Sequence, residues 1–309
     1  MEYPKRKDAF RPMTLGDVEQ HTLRAVKYYI DNLPDLPIHV HQMLKIVFDI
    51  DQDTKELTKL VSTDPILVSK ILQRMNSAFC ALFKKVDDLN LAITLLGFRE
   101  IRNIAIQYGC TRAFGKESKR EAYNFHYLWE HSYLVSVCTE YLSQELLNEK
   151  AGTFVVLGLL HDIGKFILGN IHIHSVGLEF QGSDILPHQD EVCSLEWEEK
   201  VFGINHTIAG GLLARKWNLP ESTCVVAEHH HSPSFNAREI LPEEFRTEII
   251  LTCIADALVN RVEGRSSMLL PLPSYRDGIA GRYLVGDGIR DSLMEKLMKE
   301  KKFLSYIIN

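Results

Sequence analysis

The chain has 309 residues, 45% of them hydrophobic and 25% charged, with a formal net charge of −6. That balance describes a globular protein long enough to bury a sizeable core, in one large domain or two coupled ones. The acidic charge excludes bulk nucleic-acid binding, and the opening MEYPKRKDAFRPM lacks the apolar region of a signal peptide.

The six cysteines are scattered with no C-x-x-C pair, which fits reduced, mostly structural thiols in a cytoplasmic protein. A membrane span needs about eighteen apolar residues. The best stretch, Thr153–Leu168, is shorter and charged, so no membrane association is expected.

Helical periodicity dominates from the N-terminus onward and predicts an all-α fold. TKELTKLV is a short amphipathic helix. In STDPILVSKILQRMNS, Asp64 is a good N-cap and Pro65 suits the first helical position. Leu67, Val68, Ile71, Leu72 and Met75 then form one buried face. LNLAITLLGFREIRNIAIQYG makes two helical pieces bent near Gly97. The polar stretch Phe114–Asn124 is the expected boundary between an N-terminal helical bundle and a second helical unit. A long irregular loop is expected over Gln181–Ser194, and HIHS at His172–Ser175 is too brief to assign. Gly264–Gly278, with its prolines and glycines, separates a final charged helix. The expected division is an extension over 1–24, a helical subdomain over 25–118, a core over 119–265, and a C-terminal loop and helix over 266–309.

The central run TFVVLGLLHDIGKFIL is apolar on every side if helical, which places it in the middle of a domain. A carboxylate there is costly unless paired or bound to metal, so Asp162 needs partners. His131 falls within the apolar stripe Leu128, Val135, Cys138 and Leu142, where a histidine is either a hydrogen-bonded core residue or a ligand. His206 opens a helix, whose dipole keeps its ring neutral; it is a ligand or a surface cap. His229, His230 and His231 close another helix, as an exposed polar terminus or as metal ligands. Asp256 stands at the edge of the buried stripe of EIILTCIADALVNRV. Taken together these imidazoles and carboxylates, without thiolate, suit iron, manganese, zinc or magnesium, and the histidines favour the transition metals.

His131, the His161–Asp162 pair, His206, the His230–His231 pair and Asp256 resemble the HD superfamily of metal-dependent phosphohydrolases. HDIGK is similar to the HD-GYP branch. LPDLP at Leu33–Pro37, Asp64–Pro65, Asn76–Ser77, Leu96–Gly97 and FGINHTIAGGLLARKWNLP resemble the HDOD branch. The likeness spans roughly Leu33 to Val259. It implies an N-terminal bundle packed on an HD-type core holding two divalent transition-metal ions, iron or manganese foremost, with zinc or magnesium as alternatives. One ion would be held by His131, His161, Asp162 and Asp256. Asp162 would bridge to a second held by His206, His230 and His231, with His229 a neighbour that can replace either of the last two. Lys165, three residues after Asp162, is expected on the same helix face. There it either snorkels or, as the HD-GYP resemblance implies, holds phosphate, which would give Asp162 and Lys165 catalytic roles. No Gly-Tyr-Pro element follows the paired histidines, which argues against cyclic di-GMP hydrolysis. The resemblance therefore implies a bacterial signal-transduction module that binds a partner protein or nucleotide. The alternative is a phosphohydrolase acting on a nucleotide or other phosphoester.

Overall fold

The computed structural model describes residues 10–35, 58–59, 61–76, 85–114, 125–147, 152–170, 195–235, 241–265 and 287–308. Regular structure among them is entirely helical, as the periodicity predicts. Most of the expected boundary, and all of His172–Ser175 and Gln181–Ser194, lie outside the described residues. So do most of the short helix over Thr54–Val61 and of the segment Gly264–Gly278.

Helix α1 (Gln20–Asn32) follows a single 3₁₀ turn at Leu15–Asp17. Helix α2 (Pro65–Met75) starts as its sequence requires. The Asp64 carboxylate accepts from the Ile66 and Leu67 N–H groups at 2.9 and 3.2 Å, and Pro65 fills the first position. Helix α3 (Leu89–Phe114) breaks at Gly97, whose φ of 78° suits a residue without Cβ. Leu67, Ile71 and Met75 pack with Ile93, Ile101 and Ala105 into one apolar cluster.

The rest of the chain forms α4 (Phe125–Leu147), α5 (Gly152–Leu160), α6 (Gly164–Asn170), α7 (Leu195–Phe202) and α8 (His206–Lys216). Next come α9 (Glu221–His229), the short α10 (Ser232–Phe235), α11 (Arg246–Val262) and α12 (Asp287–Ile308). Helix α5 is the shared wall of this region. Its Val156, Leu159 and Leu160 pack with Val26 and Ile30 of α1 and with Phe202 and Leu213 of α7 and α8. Its Phe154 and Leu157 pack instead with Leu134 and Leu142 of α4, Ile254 of α11, and Leu293 and Leu297 of α12. An all-apolar helix is thus buried on both sides, as its composition requires.

The central run is not one helix. After Leu160 the chain turns through His161–Ile163, held by N–H groups of Ile163, Lys165 and Phe166 donating three residues back at 3.1, 3.0 and 3.2 Å. The cause is tertiary. Helix α6 lies against the start of α8 so closely that a Cβ on Gly164 would strike the His206 carbonyl, with Gly210 N at 2.5 Å. The window Thr153–Asn170 reaches membrane-spanning length and hydropathy, beyond the shorter run read from sequence, but 89% of it is buried inside the fold.

Gly164→Ala is therefore expected to destabilise the protein by at least ~2 kcal/mol, the usual cost of forcing atoms into a packed core. Equilibrium denaturation measures it, and an unchanged midpoint would contradict the close α6–α8 approach.

Candidate metal centre

Every residue assigned to the site from sequence comes to one buried place. Helix α4 supplies His131, the turn supplies His161 and Asp162, α8 opens with His206, α9 runs into His230 and His231, and α11 carries Asp256. The donor atoms fall into two groups, each within 4.8 Å: His131, His161 and Asp256, and Asp162, His206, His230 and His231. Asp162 joins them. Its Oδ2 faces His161 Nε2 at 3.4 Å and His131 Nε2 at 3.7 Å. Its Oδ1 faces His206 Nε2 at 3.2 Å and His230 Nε2 at 3.6 Å. His229 stands outside both groups, beside Ser232. Asp256 is not at the edge of the core: it is only 4% exposed, with His131 Nε2 3.1 Å from its Oδ1 and His231 Nδ1 3.8 Å from its Oδ2.

The tautomers follow from what surrounds the rings. His161 Nδ1–H donates to the Gly158 carbonyl at 2.8 Å, and His230 Nδ1–H to the Val226 and Ala227 carbonyls at 3.1 Å each. His206 Nδ1–H donates to Glu198 at 2.7 Å, and the same Glu198 oxygen accepts the His206 backbone N–H at 2.7 Å. His131 Nδ1–H donates to Glu263 at 2.9 Å. The Nε2 lone pairs of His161, His206 and His230 are therefore turned inward, and His131 Nε2 faces Asp256 Oδ1 at 3.1 Å. The Nε2 atoms of His131 and His161, Asp162 Oδ1 and both ring nitrogens of His231 make no hydrogen bond although buried. Buried polar atoms left without hydrogen-bond partners are costly. A divalent cation would satisfy them, and carbonyl and carboxylate acceptors behind the rings are the usual support of histidine ligands. The residues present fit a metal.

Glu198 and Glu263 were missed in the sequence, as were Asn260 and Arg265. Together with Asp256 and His131, the last three complete a closed circuit. Asn260 Nδ2 donates to Asp256 Oδ1 at 2.7 Å, Arg265 Nη1 donates to Asn260 Oδ1 at 2.7 Å, and Arg265 Nη2 lies 3.0 Å from Glu263 Oε2. Tyr127 donates its hydroxyl to the same Glu263 oxygen at 3.2 Å, and Arg265 lies over the Tyr127 ring at 4.4 Å. Spacing could have found part of this. Asn260 and Glu263 follow Asp256 by four and seven residues, one stripe along α11 and its end. Glu198 had no such signal, because its partner lies on another helix.

Lys165 neither snorkels nor shares a helix with Asp162. It is 2% exposed, and its Nζ donates to Asp162 Oδ2 at 2.5 Å across the turn. Burial opposes charge on Asp162, but His161 and Lys165 outweigh it and hold the carboxyl well below its ordinary value. Asp256 is likewise held low against burial, by His131 foremost. Burial, with His230 beside it, keeps His231 neutral. For His131 burial again works against the charged ring, yet Glu263 and Asp256 push its pKa up to about 10.

Comparison with known proteins identifies the family and the fold. The HDOD domain family matches residues 33–233, and the chain belongs to that family. The match stops short of Asp256, which α11 brings back to the cluster. A protein of Treponema pallidum (strain Nichols), itself uncharacterized, is 24% identical over 77% of this chain and 44% of its own length. The chain thus spans less than half of that relative. A provisionally assigned signal transduction protein from Marinobacter aquaeolei VT8 has a similar fold, with a TM-score of 0.69 at 17% identity. The match covers 94% of this chain and 66% of that one. An HDOD domain protein of unknown function from Geobacter sulfurreducens gives 0.60 at 18% identity over 92% of each chain. A provisionally assigned metal-dependent phosphohydrolase from Shewanella amazonensis SB2B gives 0.54 at 15% identity, covering 91% of this chain and 98% of that one.

Glu263→Gln and Glu198→Gln are each expected to weaken metal binding about 10–100-fold while leaving the direct ligands in place. Affinity equal to that of the parent in both would remove their supporting role. A proton follows the metal. Glu263 and Asp256 favour the charged His131 ring in the metal-free protein, and a ring that ligates must be neutral, so metal held by His131 would release a proton on binding and bind more tightly as pH rises. Calorimetry in two buffers of different ionisation enthalpy reads this release, and identical heats would contradict it.

Proposed function

We propose that this chain is a bacterial signal-transduction module of the HDOD family, built on a dinuclear His/Asp metal centre that binds a nucleotide or a partner protein. One observation carries the reading. A carboxylate 1% exposed, Asp162, divides its two oxygens between two sets of inward-turned imidazoles. His131, His161 and Asp256 would hold one divalent ion, His206, His230 and His231 the other, with Asp162 between them. Charge supports it as well: the carboxylates Asp162, Asp256, Glu198 and Glu263 outnumber Lys165, Arg265 and the charged His131 ring of the metal-free protein. Iron or manganese suits this donor set best, with zinc or magnesium as alternatives.

The second reading is a metal-dependent phosphohydrolase, favoured by the complete set of donors. Bound divalent ions would supply a Lewis acid and a water of lowered pKa. The chain's own part would be to hold that centre dry and rigid. Lys165 would neutralise Asp162 and offer its ammonium to a phosphate arriving there. Without a Gly-Tyr-Pro element after His231, cyclic di-GMP is not the substrate this reading favours.

Protein purified from metal-replete medium should contain about two transition-metal ions per chain, and Asp162→Ala should lose both. Chelation should lower the melting temperature, because metal bound only to the folded state stabilises it. Metal-free protein under those conditions would sink the assignment. The two readings separate in a phosphoester screen at full metal occupancy. Turnover abolished by Lys165→Ala selects the enzyme, whereas absent turnover selects the signalling module.

A further inference from the structure

The N-terminal strap over 10–15 precedes the family match, which begins at residue 33, yet it lies on the core beside the donor cluster. It runs into the 3₁₀ turn Leu15–Asp17, which its own residues close. The Asp17 carboxylate accepts from the Thr14 N–H at 2.8 Å and from the Thr14 hydroxyl at 2.7 Å. Val18, just after the turn, is buried in the apolar cluster that contains α5 and α8. The turn is therefore a fixed base. Ahead of it, residues 10–13 have no regular structure of their own and are fastened at two points. Met13 rests against the same apolar cluster, its N–H donates to Glu199 at 2.7 Å, and its carbonyl accepts from Asn205 Nδ2 at 3.3 Å. Phe10 meets Phe235 of α10 edge to face, with ring centroids 5.6 Å apart.

Behind the strap is a cavity of about 520 Å³, walled also by the starts of α7 and α8 and by the end of α9 with α10. His231 stands in that wall, 4% exposed, with no hydrogen bond at either ring nitrogen, and it is one of the donors grouped with Asp162, His206 and His230. The two residues that fasten Met13 also adjoin this group. Asn205 caps α8, accepting from the Ile208 N–H at 3.1 Å, and the next residue is His206. Glu199 donates nothing to the cluster itself but follows Glu198, whose carboxylate holds His206.

We propose that residues 10–13 are a lid on the His206–His230–His231 side of the cluster, hinged at the capped turn and latched at Met13 and Phe10. Opening of the lid governs passage between solvent and His231 through the cavity. Two hydrogen bonds, one aromatic pair and one flexible side chain make a latch far weaker than the fold, so it releases by local motion while the core stays intact. Val18 and the bonds of the turn do not depend on the latch and keep the base in place. The reading of the cluster as a metal centre enters only in what would pass: the lid adds control of access to that centre.

The test uses the full chain, first freed of metal by chelator. Diethyl pyrocarbonate labels an imidazole it can reach, and tandem mass spectrometry assigns the label to its residue. In the double variant Phe10→Ala/Met13→Ala, His231 should be labelled at least ~5-fold faster than in the parent, through more frequent local opening. His161, 1% exposed and outside the cavity wall, should stay slow in both, and exposed His21 supplies the reference rate. Tyr28→Ala, which removes an exposed ring from α1, should leave all three rates unaltered. Equal His231 rates in the double variant and the parent overturn the lid. So does equal acceleration of His161, which signals general loosening. In metal-loaded samples the double variant should release metal into excess chelator faster at unchanged affinity, because the strap supplies no donor. Release at the parental rate overturns the lid's control of the ion. A parent that binds no metal overturns the metal centre, and the labelling rates still decide the lid.

Discussion

The Asp162 carboxylate, sealed from water between two sets of histidines, is the interaction on which the rest of the structure depends. A lone buried carboxylate is costly, so the fold must bring it positive charge or donors. Lys165 meets one oxygen directly. The other oxygen looks toward His206 and His230, whose ring protons are engaged elsewhere. The helices that carry these groups are arranged to make this possible. The chain turns sharply after Leu160, and Gly164 lets α6 lie on the first turn of α8, where His206 begins.

Support for the site is built in two unlike ways. On the α8–α9 side it is local: Glu198 grips both the ring and the backbone of His206, and His230 bonds back to its own helix. On the α4–α11 side it is a circuit through Asp256, Asn260, Arg265 and Glu263 that returns to His131. A circuit fixes two ligands at once, since displacing any member disturbs both His131 and Asp256. Orientation of the donors is thus established before any cation arrives.

Membership of the HDOD family and the HD-like fold leave the function open between signalling and hydrolysis, since one fold hosts many functions. The site itself narrows this. Its complete set of inward-facing donors fits a divalent ion, and a cavity lined in part by His231 lies beside it.

Much of this was legible in the sequence because it is local. Asp64 and Pro65 announce the start of α2, the 3-4 spacing around His131 announces its inward face, and Gly97 announces a break. The seven donors could be picked out by residue type and likeness to the HD pattern, and the fold brings all seven together. What only tertiary structure decided depends on distance between helices. Periodicity within Thr153–Leu168 favours a single helix, and the turn at His161–Ile163 arises because α8 crosses there. The same crossing turns Lys165 onto Asp162 instead of toward solvent. Glu198, like any polar residue on a short helix, carries no mark of the imidazole it will hold, since that partner comes from the next helix. The strap over 10–15 has no periodicity to announce it, and its place beside His231 is set by hydrogen bonds to Glu199 and Asn205. Local pattern determines which face of each helix is buried, and only the packing of those faces determines which polar groups meet.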